Sequence, residues 1–355
     1  MTDQHEEIAN NLLDEIENAE PFEPDEVESD KDQSQPCGLI TMKDAILEFY
    51  HELDKPPVQQ IKTGFSSLDG LVDGFRPGQM IVMAARPGQG KTALATNIIT
   101  NMLDVGIPAL FFSLEMSRLE IMQRLFSSVG QIPLREIRSQ DRTQQTLDAI
   151  AETGNILSGW PLVMCDSPRL RVADIETLSR DGISSHGVGC IIIDYLGLIE
   201  PDKPSQPRYE QVTAISREIK TMARTLDVPV IVLAQLNRES SSNKDNRPKI
   251  SHLRDSGAIE QDADIVLLIH RPSEYDNQAD KSKAEIIVAK NRNGTTGHID
   301  LFWEGEYTRF VNPPEIAIES EQSPEPSETP LYEDWKPGGT DGKQETEGDG
   351  FDFQE

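Results

Sequence analysis

The chain has 355 residues, 62 acidic against 33 basic, and a formal net charge of −29. That length allows one large domain or two ordinary ones with a substantial core. Three scattered cysteines, Cys37, Cys165 and Cys190, are too few for a disulfide framework or a zinc site. No run approaches the roughly 18 apolar residues of a membrane span, and no apolar segment follows a basic start. The expectation is a soluble, cytoplasmic protein with no membrane contact and no metal of its own beyond one brought by a nucleotide.

The acidity sits at the ends. Residues 1–38 contribute −12 and residues 313–355 contribute −11, which leaves the middle near −6. Both ends are rich in Glu, Asp, Pro, Ser and Gln and poor in large apolar residues, so burial there cannot offset chain entropy. They are expected to be disordered acidic tails, spanning 1–40 and 313–355. Ile8, Leu12 and Ile16 recur at i, i+4, i+8, and Phe351 and Phe353 lie in an acidic ending, so partner-binding peptides stand as the alternative to plain solvated tail.

"TMKDAILEFYHEL", Thr41 to Leu53, places Met42, Ile46, Leu47 and Tyr50 on one stripe and is then cut by Pro56-Pro57. This predicts a lone amphipathic helix over 41–56 that must find a groove in its own domain or a neighbour's. The domain proper is expected over 57–312. Short apolar runs there alternate with helical stretches: "GQMIVMA" then a helix from about Lys91 to Leu103, and "PALFFSL" then a helix near Leu119 to Val129. "PLVMCD", "VGCIIIDYL", "VPVIVLAQL", "DIVLLIH" and "AEIIVAK" follow, with helical patterns between the first several. The expected fold class is α/β, with a mainly parallel sheet covered by helices on both faces. "HIDLFW" and "YTRFV" across Gly305 predict an antiparallel hairpin at the sheet edge.

Ala85-Arg86-Pro87-Gly88-Gln89-Gly90-Lys91-Thr92 has the phosphate-loop spacing A-x-x-x-x-G-K-T between a strand and a helix. Gly88 and Gly90 let backbone N–H groups turn toward the β-phosphate, and Lys91 supplies a point charge to the β- and γ-phosphates. Thr92 is a candidate magnesium ligand. Asp194, at the end of the strand in "CIIIDYL", is the expected magnesium carboxylate, acting through water. Glu115 in "FFSLEM" is a candidate base for the attacking water, and Gln235 in "VIVLAQLNR" is placed to sense the γ-phosphate. These strand ends converge, because ligands of parallel sheets gather beyond the carboxyl edges. The segment after Gln235 clusters Arg238, Lys244, Arg247, Lys249 and Arg254 in an otherwise acidic chain. That suits a sequence-independent grip on a nucleic-acid backbone; a solvated loop is the plain alternative.

"MAARPGQGKTALATNI", "FFSLEMS", "IIIDYLGLI", "VLAQLNRE", "ISHLRDSGAIEQDADIVLLIHR" and "AEIIVAKNRNGTTGHIDLFWEGEYTRF" resemble, in order and spacing, the ATPase domain of the DnaB-type replicative helicases. "TGFSSLDGLVDGFRPGQM" resembles the segment that opens that domain, and the likeness covers about residues 41–311. The resemblance implies a RecA-like P-loop core in a hexameric ring around single-stranded DNA, with ATP between subunits. It implies that Lys91 and Thr92 bind ATP and Mg²⁺, that Glu115 is the catalytic base, Asp194 the magnesium carboxylate and Gln235 the sensor. Lys290 and Arg292 match the basic residues that reach a neighbour's γ-phosphate, and their i, i+2 spacing points both to one side if the strand persists that far. Arg254, Asp255 and Gly257 match the DNA-facing loop, beside the basic Arg238 and Lys249, and the Thr41–Leu53 helix matches the linker helix.

Three departures from the family pattern stand out. Family members usually carry a folded helical N-terminal collar that helps recruit primase; here an acidic stretch of about 40 residues precedes the linker helix, which argues against primase recruitment. Gly88-Gln89 stands where Ser-Met is usual, and Asp255 shortens a common glutamate. The acidic C-terminal tail lies outside the pattern and is a candidate to bind replication partners or to compete with DNA for the basic loop. The function implied is ATP-driven 5′ to 3′ translocation along single-stranded DNA, unwinding a forked duplex in replication. The rival is a RecA-like ATPase switch that assembles on DNA or protein without unwinding.

Overall fold

The computed structural model describes residues 40–53, 60–237, 247–253, 256–276 and 278–313. The expected tails and the expectations for Arg238, Lys244, Arg254 and Asp255 lie outside the described residues. Helix α1 (Met42–Leu53) begins after Thr41, whose hydroxyl accepts the Asp44 N–H at 3.2 Å, a cap that fixes the start at the predicted place. Helix α2 (Ser66–Val72) follows a turn in which the Asp69 carboxylate accepts the Thr63 and Gly64 N–H groups at 2.7 and 3.1 Å.

From there strand and helix alternate. Strand β1 (Met80–Ala85) feeds α3 (Lys91–Asp104), and β2 (Ala109–Ser113) feeds α4 (Arg118–Gly130). Helices α5 (Leu134–Arg138) and α6 (Gln144–Ser158) precede β3 (Leu162–Cys165), and α7 (Val172–His186) precedes β4 (Cys190–Asp194). Helix α8 (Arg208–Leu226), β5 (Val230–Gln235), α9 (Ser256–Asp262) and β6 (Ile265–His270) complete the parallel part. Strands β7 (Lys283–Asn291), β8 (Gly297–Glu304) and β9 (Arg309–Val311) close the chain.

One sheet of nine strands results, in the order β3-β2-β4-β5-β1-β6-β7-β8-β9. The first six run parallel, and β7, β8 and β9 each pair antiparallel to the strand before. The hairpin across Gly305 forms as expected. "AEIIVAK", read with the parallel strands, is antiparallel instead: the 12 residues that join β6 to β7 carry, among the described residues, no α-helix of the kind that usually makes a parallel crossover.

Side chains alternate across β1: Ile81, Met83 and Ala85 pack on one face with Leu94 and Ile98 of α3, and Met80, Val82 and Ala84 pack on the other with Ile219 and Met222 of α8. Burial of β1 on both faces explains its unbroken apolar sequence. Among the described residues, no helix is long and apolar enough to cross a membrane.

Candidate functional site

The carboxyl ends of the central strands carry the site. Strand β1 ends at Ala85, beside Gln235 at the end of β5, and the Leu236 N–H donates to the Ala85 carbonyl at 3.0 Å. The loop from Arg86 to Gly90 then turns into α3. Gly88 and Gly90 both adopt left-handed backbone conformations, with φ of +83° and +93°. At Gly90 a Cβ would also stand 2.9 Å from the Phe310 ring, so packing and backbone both demand glycine.

Beyond the loop, Thr92 donates its hydroxyl to Asp194 at 2.7 Å, and the Lys91 ammonium lies 2.9 Å from the other Asp194 oxygen. Asp194 is fully buried. Its Oδ1, though ion-paired with Lys91, has no aligned hydrogen-bond donor. A buried carboxylate oxygen with unused acceptor capacity beside a threonine hydroxyl fits magnesium, which takes oxygen ligands and keeps several waters. Glu115, half-exposed beyond β2, reaches within 3.8 Å of Lys91. Its position is fixed by the neighbouring Leu114 N–H, which donates to the Asp194 carbonyl at 2.7 Å.

Ala85, Arg86, Pro87, Gly88, Gly90, Lys91, Thr92, Glu115 and Gln235 line one cavity together with Met116, Arg124, Trp303 and Thr308. Gln89 faces away from it. Its buried carboxamide accepts the Arg271 N–H at 2.6 Å and donates to the Tyr275 hydroxyl at 3.2 Å, and Arg271 donates in turn to the Gly88 carbonyl at 3.2 Å. The Arg271 guanidinium stacks on Trp303, 4.5 Å from the ring centroid. Burial pushes its pKa down, opposed by Glu274 3.0 Å away.

Arg124, Trp303, Arg271 and Tyr275 escape motif reading. Arg124 had a signal: it falls on the inward stripe of α4 with Ile121, Leu125 and Ser128, a place for an apolar residue. Desolvation, then the charge of Arg138, lowers its pKa, while Asp194 and Glu115 act to raise it. Trp303 comes from the far sheet edge, which local spacing does not reveal.

Strand β7 ends at Asn291, so the i, i+2 alternation does not extend to Arg292, yet Lys290 and Arg292 both reach the Gln261 carbonyl, away from the phosphate loop of their own chain. Arg292 donates its backbone N–H to the Asp264 carbonyl, and the Asp264 N–H donates to the carbonyl of Met80, where β1 begins; both are 2.9 Å. The loop starts at the other end of β1, roughly 17 Å further along a six-residue strand. Of the basic segment, Lys249 is described and exposed, and Arg247 is ion-paired to Glu285. Gly257 lies exposed in the first turn of α9. Leu236 and Leu253 form a buried antiparallel bridge that closes the base of this segment next to Gln235.

Known proteins resemble this chain in sequence and fold. Residues 60–312 match the model of the DnaB-like helicase C-terminal domain. The chain is 40% identical to a replicative DNA helicase DnaB of Leifsonia xyli subsp. xyli, over 71% of this chain and 56% of that protein. It is 38% identical to a replicative DNA helicase DnaC of Bacillus subtilis, over 76% and 62%. The chain thus spans about three fifths of the length of these curated relatives. Among solved structures, that of an isolated ATPase domain superposes with a TM-score of 0.72 at 33% identity, covering 77% of this chain and 99% of that one. A DnaB-like replicative helicase described with its interactions with primase gives 0.73 at 33%, covering 77% and 69%. A KaiC-like protein of Pyrococcus horikoshii OT3 shares the fold, with a TM-score of 0.51 at 15% identity, covering 73% of this chain and all of that one. The fold is RecA-like, and the chain belongs to the family of the DnaB-like helicase C-terminal domain.

Proposed function

We propose that this chain is an ATP-hydrolysing motor that moves 5′ to 3′ on single-stranded DNA as a homo-hexameric ring and unwinds forked duplex in replication. The observation that carries this reading is the separation of Lys290 and Arg292 from the phosphate loop of their own chain. Cations that match the family's trans-acting pair, yet sit at the amino ends of the parallel strands, serve a triphosphate only if a second copy presents it. A ring then gives each site a complete set of groups.

Within one copy the roles divide by position. The loop N–H groups between Gly88 and Thr92 and the Lys91 ammonium hold the phosphates. Thr92 and Asp194 would hold Mg²⁺, which would draw negative charge off the phosphate oxygens. Glu115 orients the attacking water and takes its proton. Gln235 contacts the γ-phosphate region and adjoins the Leu236–Leu253 bridge, so loss of phosphate alters the base of the basic segment. Trp303, with Arg271 stacked on it, offers a flat surface at the cavity wall for a nucleobase. Arg238, Lys249 and Arg254 supply phosphate contacts to the strand, and Asp255 and Gly257 belong to the same DNA-facing segment.

A fork-unwinding assay with both strand polarities, run with mass measurement in ATP, tests this. Strand displacement from a 5′ tail by a hexamer is expected. ATPase activity stimulated by single-stranded DNA without displacement would replace the motor with the switch. Pulling down primase, or failing to, then settles that partner.

A further inference from the structure

Helix α9 ends against the two cations just assigned to a neighbour's triphosphate. The Lys290 ammonium donates to the Glu260 carbonyl at 2.6 Å and to the Gln261 carbonyl at 3.2 Å. The Arg292 guanidinium donates to the Gln261 carbonyl and lies 3.4 Å from the Asp264 carboxylate. These carbonyls belong to the last turn of the helix, which has no intrahelical donors for them and carries the negative end of the peptide dipoles. The same turn has two further anchors, through side chains and not through its carbonyls: Ile259 is buried against α8, and the Ser216 hydroxyl donates to Asp262 at 2.7 Å. Asp264 is held by Lys220 at 2.6 Å and by the Met80 N–H at 2.7 Å.

The other end of α9 follows directly on Leu253, Arg254 and Asp255, the segment that adjoins the proposed DNA grip. One short helix therefore has that segment at its start and the finger cations at its end.

We infer that α9 is a positioning element with two exclusive occupancies at its carboxyl end. In a single copy it docks Lys290 and Arg292; when a second copy presents a triphosphate, the cations transfer to it and the last turn of α9 loses its donors. The inference rests on the ring reading above. Its consequence is that nucleotide on one copy loosens the helix beside the strand-gripping segment of the next, so hydrolysis and grip are linked through seven residues.

Hydrogen exchange of the full chain tests this in two arms. Without nucleotide, at dilution that keeps single copies, Lys290→Met/Arg292→Met and Lys290→Met alone should speed exchange of the α9 amides on the order of tenfold. Amides of β1 and β6 should be unchanged, which controls for folding. In the second arm, unaltered chain receives a non-hydrolysable ATP analogue while mass measurement follows assembly, and the same α9 amides should exchange faster than in the single copy. Unchanged α9 exchange in the folded variants overturns the docking. Assembly with unchanged or slower α9 exchange overturns the transfer. If neither variant folds, the second arm decides alone. Absence of assembly defeats the ring reading, and the first arm still decides whether α9 docks the cations.

Discussion

Thr92 donates its hydroxyl hydrogen bond to Asp194 at 2.7 Å, joining the first turn of α3 to the end of β4 across 102 positions of sequence. With Lys91 on the second carboxylate oxygen, the phosphate loop and the strand-end carboxylate form one unit. Changing Asp194 therefore disturbs Lys91 as well as any metal. Asp194→Asn leaves Lys91 without its buried counter-ion, and kcat is expected to fall about 100-fold or more. Steady-state hydrolysis across a magnesium titration measures it; activity and magnesium dependence both unchanged would remove Asp194 from the site.

Glu115 is the exposed carboxylate of the cavity, so its neutral variant should not disturb the core. Glu115→Gln is expected to retain ATP binding and lose roughly 10²- to 10⁴-fold in kcat, the range for a positioned proton acceptor. Equilibrium binding of a fluorescent ATP analogue alongside turnover separates the two, and turnover at the original rate would assign the base elsewhere.

Gln89 takes the place usually held by Met in the family pattern, and the structure gives it a task. Gln89→Met strips the buried Arg271 N–H of its acceptor and the Tyr275 hydroxyl of its donor. A loss of about 1–3 kcal/mol in urea unfolding is expected from the unsatisfied N–H. Tyr275→Phe, which keeps Arg271 satisfied, should cost less; equal costs would contradict this account of the loop.

Trp303 reaches the cavity from β8 and supports both Arg271 and Phe310. Trp303→Ala should raise KM for ATP by the equivalent of roughly 1–3 kcal/mol of stacking, with a smaller change in kcat. KM unaffected, with kcat alone reduced, would show that the ring braces the loop and does not touch the base.

Lys290 is partly buried, and burial, then the charge of Arg292, holds its pKa below the ordinary lysine range. The ammonium is charged below that pKa and neutral above it, so a lowered value brings neutralisation to lower pH. That environment belongs to the single copy, where Lys290 docks on α9, so protection of the α9 amides should fall on the alkaline side before an ordinary lysine would titrate, and Lys290→Arg should move the fall to higher pH. Hydrogen exchange of both nucleotide-free chains across pH, corrected for the intrinsic exchange rate, checks this. Arg292→Ala, mixed into rings of unaltered chain, should suppress hydrolysis at the neighbour's site; suppression confined to its own site would contradict the trans role.

Most of this site is legible in the residues alone. Apolar runs mark the parallel strands, buried on both faces except at the edge strand β3, and glycine, lysine and threonine at fixed spacing mark the turn between β1 and α3. Strand β7 is the exception. Its apolar run reads as another parallel strand, although its burial alternates, with Ala284, Ile286 and Val288 in the core and Lys283 exposed. The signal for direction lies in the connection to β6, which carries no amphipathic helical pattern, whereas a parallel partner is usually reached through a crossover helix.

Sequence by itself determined which residues stand at the strand ends and the order in which they come, since those depend on local periodicity and on residue types within a few positions. Tertiary structure alone decided that Arg124, Arg271 and Trp303 meet at the phosphate loop and that Lys290 and Arg292 do not. Those relations come from strand order and direction, which bring Arg271 onto Gly88, 183 positions away, and put Lys290 and Arg292 at the other ends of the parallel strands.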